Sequence, residues 1–273
     1  MFFWAGVIAI SLVSCENGTK QKENDLAKLN LKGKVMSLEH NLYKVENEND
    51  ELNEENKESR KSFWVGYHAG WNIAGALLGI STSFDLKFDE NGNITKVSNY
   101  RRFDITYNLD DDNIRISETW REGGGSGSPY KFKYMYDKGR LMSKKANADD
   151  NDFTVKYKYS DEGLLSSITY SEGDNYTEIV NYIKYIDKIH VESLQSTRGN
   201  DIYKFVFEYD ENYDVSKITR NYMRYDDGSK DIYTFSRYKY DEHDNWIKCV
   251  VKEKKADGNV YNYVITRKIR YDD

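Results

Sequence analysis

The chain of 273 residues carries 40 Lys and Arg against 46 Asp and Glu, a formal net charge of −6, and 15% of its residues are aromatic. That acidic balance excludes a general nucleic-acid binder, which would carry an excess of basic charge. The 24 Tyr, 11 Phe and 5 Trp exclude a wholly disordered chain, and no set of apolar runs of about 20 residues marks a polytopic helical membrane protein.

Residues 2–13 form an uncharged apolar run, too short to cross a bilayer as a helix and of the length of a secretory-signal core. It ends in Leu12-Val13-Ser14-Cys15, followed by the polar Glu16-Asn17-Gly18. This junction resembles the bacterial lipoprotein signal. The resemblance implies cleavage before Cys15 and a diacylglycerol thioether on its sulfur. No Lys or Arg follows Met1, so the α-amino group supplies the positive charge such signals carry. The expectations are a signal peptide over 1–14, lipid attachment at Cys15, a polar linker over 15–30 and residence in the bacterial cell envelope at the outer membrane. The membrane is then a partner through that lipid, while Cys249 is left as a buried, inert thiol in a strand-like run.

Beyond the linker the sequence repeats. Phe84–Ile94, Tyr130–Leu141, Tyr157–Leu164, Phe205–Val215 and Tyr238–Trp246 each read aromatic-x-aromatic, a polar turn, then an apolar strand. Less regular copies lie at Ile105–Ile114 and Tyr182–Ile189. The aromatic before the turn falls at Phe88, Tyr107, Tyr136, Tyr159, Tyr185, Tyr209 and Tyr240, a loose period of about 25 residues. Aromatic and β-branched strands around an Asp, Asn or Gly turn are the sequence form of a β-hairpin. Within each strand the aromatics share one face, as Phe132, Tyr134 and Tyr136 do against Lys131, Lys133 and Met135. The expected fold is all-β: an antiparallel meander of YD-type hairpins forming one extended, curved or partly closed sheet. It occupies a single domain over 31–273 with an irregular insertion at 46–82. The apolar, glycine-rich residues 63–80 are expected to pack on the aromatic face or close one end of the sheet.

These units resemble the YD repeats of the RHS family. Tyr238-Lys-Tyr-Asp-Glu-His-Asp-Asn-Trp246 and the C-terminal Val264-Ile-Thr-Arg-Lys-Ile-Arg-Tyr271 are similar to the tail of small RHS-like lipoproteins of Bacteroidetes. The likeness covers residues 84–271, and residues 31–45 look like the opening strand of the same group. It implies hairpin architecture and supplies no fixed set of ligand residues.

No His or Cys pair has zinc-ligand spacing, and no phosphate loop or nucleophile elbow is present, so neither metal nor cofactor is expected. Asp110-Asp-Asp-Asn113 and Asp149-Asp-Asn-Asp152 fall where turns belong and lack the distal Glu of a calcium loop. Trp64, Trp71 and Trp120 are the candidate ligand-binding platforms, with Trp246 placed beside its turn. The leading expectation is a non-enzymatic envelope protein that binds a glycan, a peptide or a protein partner. The alternatives are a polysaccharide hydrolase and an assembly protein that pairs through an edge strand.

Overall fold

The structure, a computed structural model, describes residues 24–46, 84–99, 103–112, 114–122, 129–148, 151–173, 176–187, 190–224 and 227–272. Among the described residues, one short helix, α1 (Asp25–Lys28), precedes sixteen strands. They are β1 (Val35–Val45), β2 (Phe84–Phe88), β3 (Ile94–Asn99), β4 (Phe103–Leu109), β5 (Arg115–Glu122), β6 (Tyr130–Asp137), β7 (Arg140–Ala148) and β8 (Asn151–Tyr159). There follow β9 (Leu165–Glu172), β10 (Tyr176–Tyr185), β11 (Val191–Arg198), β12 (Asp201–Tyr209), β13 (Val215–Arg224), β14 (Asp227–Tyr240), β15 (Trp246–Lys254) and β16 (Val260–Tyr271). The signal over 1–14, Cys15, and all but the first residue of the insertion expected at 46–82 lie outside the described residues, and with them the expectation for 63–80. Among the described residues no helix is long and apolar enough to cross a membrane.

Each strand pairs antiparallel with the next, and β16 returns to pair with β1. Leu42 lies opposite Ile265 and His40 opposite Arg267 in that last ladder. The all-β hairpin meander is therefore present, and it closes into a complete ring. Closure gives the first and last strands the backbone partners that two free edges would lack. The alternation read from the sequence sets the faces: Phe132 is buried inward between the exposed Lys131 and Lys133. The inward side chains build two hydrophobic clusters, one centred on Phe205, Ile218, Tyr233 and Val251, the other on Val97, Ile105, Trp120 and Phe132.

Seven alternate turns gather at one end of the barrel, and four of them share one construction. Asp89, Asp110, Asp210 and Asp241 each accept two backbone N–H bonds at their own Oδ1, from residues two and four positions on. In all seven hairpins the return strand carries one extra residue beside the turn. These bulge residues are Thr95, Ile116, Met142, Ser166, Glu192, Ser216 and Ile247. A bulge bends its strand and steepens the local twist.

In five of these hairpins a tyrosine near the end of the outgoing strand then ties the hairpin to the one before it; in β14 this is Tyr238, two residues before Tyr240. Tyr136 donates to the Arg115 carbonyl at 2.5 Å, Tyr159 to Leu141 at 3.0 Å and Tyr185 to Leu165 at 2.7 Å. Tyr209 donates to Val191 at 2.9 Å, and Tyr238 to Val215 at 2.7 Å. Each hydroxyl thus satisfies a carbonyl at the start of the preceding return strand, where the bulge interrupts the ladder. Burial pushes the Tyr136 hydroxyl up to about 12.

Residues 24–34 run across this end. Leu26 donates its N–H to the Gly92 carbonyl at 3.2 Å, and Asp25 accepts the Ile94 N–H at 2.8 Å while pairing with Arg115. Lys32 donates its N–H to Asn245 Oδ1 at 2.8 Å on the far side. Leu26 and Leu31 are buried in the core. The stretch 24–30, expected as the end of a polar linker, therefore belongs to the domain: Leu26 removes apolar surface from water and Asp25 neutralises a buried guanidinium. Gly92 has φ +78°, and a Cβ there would lie 2.5 Å from Asn24 Nδ2 and 2.8 Å from Leu26 Cδ1. The turn needs glycine both for its backbone conformation and for the close approach of this segment.

Candidate functional site

One turn residue differs in kind from its equivalents in the other turns. The fourth turn residue adopts a left-handed backbone: Gly92 at φ 78°, Gly163 at 85°, Asp244 at 58° and Tyr213 at 62°. Glycine and Asp visit this region readily, whereas a bulky side chain there costs roughly 1–2 kcal/mol. Tyr213 is also 51% exposed, so burial in the core does not hold it there. Its ring stacks on His190 from the neighbouring turn, with centroids 4.6 Å apart and planes 24° apart. His190 is fixed in turn by Asp187, whose Oδ2 lies 2.7 Å from Nδ1, and by an edge contact with Tyr209 at 5.3 Å.

The same linkage continues along the rim. Tyr240, partly exposed at the end of β14, donates its hydroxyl to Asp214 Oδ2 at 2.8 Å. Tyr271, at the end of β16, donates to Asp241 Oδ2 at 2.5 Å and lies 4.0 Å from the His243 ring. Asn245 Nδ2 donates to the Tyr271 hydroxyl and to the Lys32 carbonyl, both at 2.8 Å. Burial raises the Asp214 carboxyl above its ordinary range, against the opposing Tyr240 hydrogen bond. Asp241 is held below its range: burial pushes it up, and the bonds from Tyr271 and the Asn245 and His243 amides outweigh that. Burial and the bond to Asp241 push the Tyr271 hydroxyl up to about 12. Together, the turns after β10, β12 and β14 present ring faces, hydroxyl groups and carboxylates at one rim. That set can stack on the C–H face of a sugar and exchange hydrogen bonds with its hydroxyls.

Inside the barrel the charges meet one another. Lys144 Nζ lies 2.5 Å from Glu118 Oε1, and Tyr134 donates to Glu118 Oε2 at 2.5 Å. The ammonium also sits 5.0 Å from the Trp120 ring centre and 5.3 Å from that of Phe132. On the opposite wall the Arg267 guanidinium lies 3.3 Å from the Trp246 ring centre and 3.5 Å from His40 Nδ1. His40 is stacked on Phe84 at 4.6 Å, and burial, then the Arg267 charge, lowers its pKa well below the ordinary value.

Of the predicted platforms, Trp120 is buried, 3% exposed and packed 4.8 Å from Phe132, so it faces the core and not solvent. The parity of β5 turns it inward, and Lys144 covers it. Trp246 is buried beside its turn, against Tyr238 and His40. Trp64 and Trp71 lie outside the described residues. Cys249 is fully buried and its thiol is pushed up to about 12 by burial, which keeps it protonated and inert. Tyr213 was missed, although its signal was present: a Tyr in a turn position where sister units carry Gly.

No protein-family model matches the chain, and no curated protein does. Among solved structures it is similar to the crystal structure of TcdB2-TccC3-Cdc42, with 13% identity over 84% of this chain and 12% of that one, at a TM-score of 0.35. The TcdB2-TccC3-TEV structure gives 14% identity over 66% of this chain and 13% of that one, at 0.21. The Tc holotoxin pore of Photorhabdus luminescens gives 13% identity over 74% and 13%, also at 0.21. The chain thus spans about an eighth of each of these proteins, and its architecture rests on its own strand pairing.

Proposed function

We propose that this chain is a lipid-anchored protein of the bacterial cell envelope, held at the outer membrane through Cys15, that binds a glycan at the aromatic rim without turning it over. The observation that carries the reading is Tyr213: a large, exposed ring kept in a costly backbone conformation and stacked on a fixed histidine. Unfavourable conformations that burial in the core does not explain concentrate where a ligand is met. The rim carboxylates support binding over hydrolysis, because Asp210 and Asp241 are occupied by the amides of their own turns and Asp214 accepts the Tyr240 hydroxyl. Ring closure supports side-chain recognition over assembly through an edge strand. Asp25 follows Cys15 by ten residues, a reach of at most about 35 Å, so the anchor would hold the rim near the membrane.

One set of chains tests both halves. Wild type is expected in the membrane fraction, and Cys15→Ala in the soluble fraction. On a glycan array, wild type is expected to show specific binding that Tyr213→Gly loses, while its melting temperature holds or rises. Relief of the left-handed strain offsets the extra freedom glycine gives the unfolded chain, roughly 0.4–1 kcal/mol. Membrane pelleting without acylation defeats the anchor. Unchanged glycan binding by Tyr213→Gly defeats the rim.

A further inference from the structure

The outer wall of the barrel from β5 to β9 has a character that neither the rim nor the anchor uses. Lys131, Lys133, Lys145, Lys156 and Lys158 are all exposed there. Lys133 and Lys145 lie directly opposite each other in the β6–β7 ladder, an arrangement that destabilises a sheet when nothing neutralises it. Among the described outward side chains of these strands, Asp137 at the end of β6 is the one carboxylate set against the five lysines and Arg121. This positive wall stands on a chain whose net charge is −6.

A second observation lies on the same strands. Met135 is 56% exposed, and Ile116 and Met142 stand out beside it at the bulge positions of β5 and β7. Of the other bulge residues, Thr95, Ser166, Glu192 and Ser216 are polar and Ile247 is half-buried, so Ile116 and Met142 are the exposed apolar ones. By contrast, the outward residues Val45, Val250 and Val264 of β1, β15 and β16 are buried.

We infer that this wall docks on an anionic lipid bilayer. Lysines at the surface attract acidic headgroups, and the aliphatic side chains among them enter the interfacial layer. A glycan or nucleic-acid polyanion fits the wall less well. Such ligands are gripped by aromatic stacking as well as charge, and no described aromatic points outward on β5–β9. The inference rests on the wall alone and holds with or without lipid on Cys15.

The test uses the full-length chain carrying Cys15→Ala, incubated with phosphatidylcholine vesicles with and without phosphatidylglycerol. Any pull from the Phe2–Val13 run appears equally on neutral vesicles and in every variant. The expected result is extra binding to the anionic vesicles that fades as salt is raised. Lys133→Glu with Lys145→Glu should weaken that binding roughly 30-fold or more, and the neutral pair Lys133→Gln with Lys145→Gln should weaken it in the same direction. Met135→Ser should weaken it with no change in charge. Melting curves confirm that each variant is folded. Equal binding to both vesicle types, or anionic binding untouched by the lysine variants, overturns the inference. Capture by soluble dextran sulfate without vesicle binding also overturns it and assigns the wall to an anionic polymer.

Discussion

Glu118→Ala is expected to destabilise the barrel by about 3–5 kcal/mol, the cost of leaving a buried charge without its partner. Lys144 is fully enclosed between Glu118, Trp120 and Phe132. With the carboxylate gone, its ammonium has aromatic faces but no counter-charge, and the Tyr134 hydroxyl loses its acceptor. Lys144→Ala should cost a similar amount by stranding Glu118. The double variant Glu118→Leu with Lys144→Met removes both charges at similar volume and should recover most of the loss, because a well-packed apolar pair avoids the desolvation of two ions. Urea unfolding of the four chains measures this. Single variants that each cost below about 0.5 kcal/mol, the range of an exposed pair, would show that the two side chains reach water.

Phe205→Ala should cost about 3–5 kcal/mol. Phe205 is fully buried on β12, among the aromatic and aliphatic side chains of the larger cluster. Removing the ring forfeits its transfer free energy and leaves a cavity that two hydrogen-bonded neighbours, β11 and β13, resist closing. A loss near that of a surface substitution would mean that the inward face is wet.

The hairpins were legible because their information is local. The Tyr-Asp turn, the alternation around it and the polar turn residues lie within about a dozen positions of one another, and each feature has a backbone reason. The loose spacing of the repeat hid a stricter one: all seven turns carry a bulge at the same place, and the variation in period comes from strand lengths and connections at the opposite end. Closure was not legible, since pairing of β1 with β16 joins the two ends of the described chain and leaves no short-range mark. The inward charges were missed for a different reason. Arg267 stands in the row Tyr263, Ile265, Ile269, and Glu118 stands beside Trp120, so parity alone places both in the core. A core charge reads as an error until its partner is known, and those partners, His40 and Lys144, come from other strands. The helix α1 has only four residues and no periodicity to detect. Trp120 misled because a tryptophan invites a platform reading that strand parity contradicts.

The rim, the buried charge pairs and the pairing of every described strand on both sides all depend on the ring. Amide hydrogen exchange in β1 and β16 tests it most directly. The closed barrel predicts that the amides of Leu38–Val45 and Asn262–Ile269 that face each other across this ladder exchange as slowly as those shared by β12 and β13. Fast exchange at alternate residues along both strands, the pattern of two unpaired edges, would contradict closure and return the protein to an open sheet.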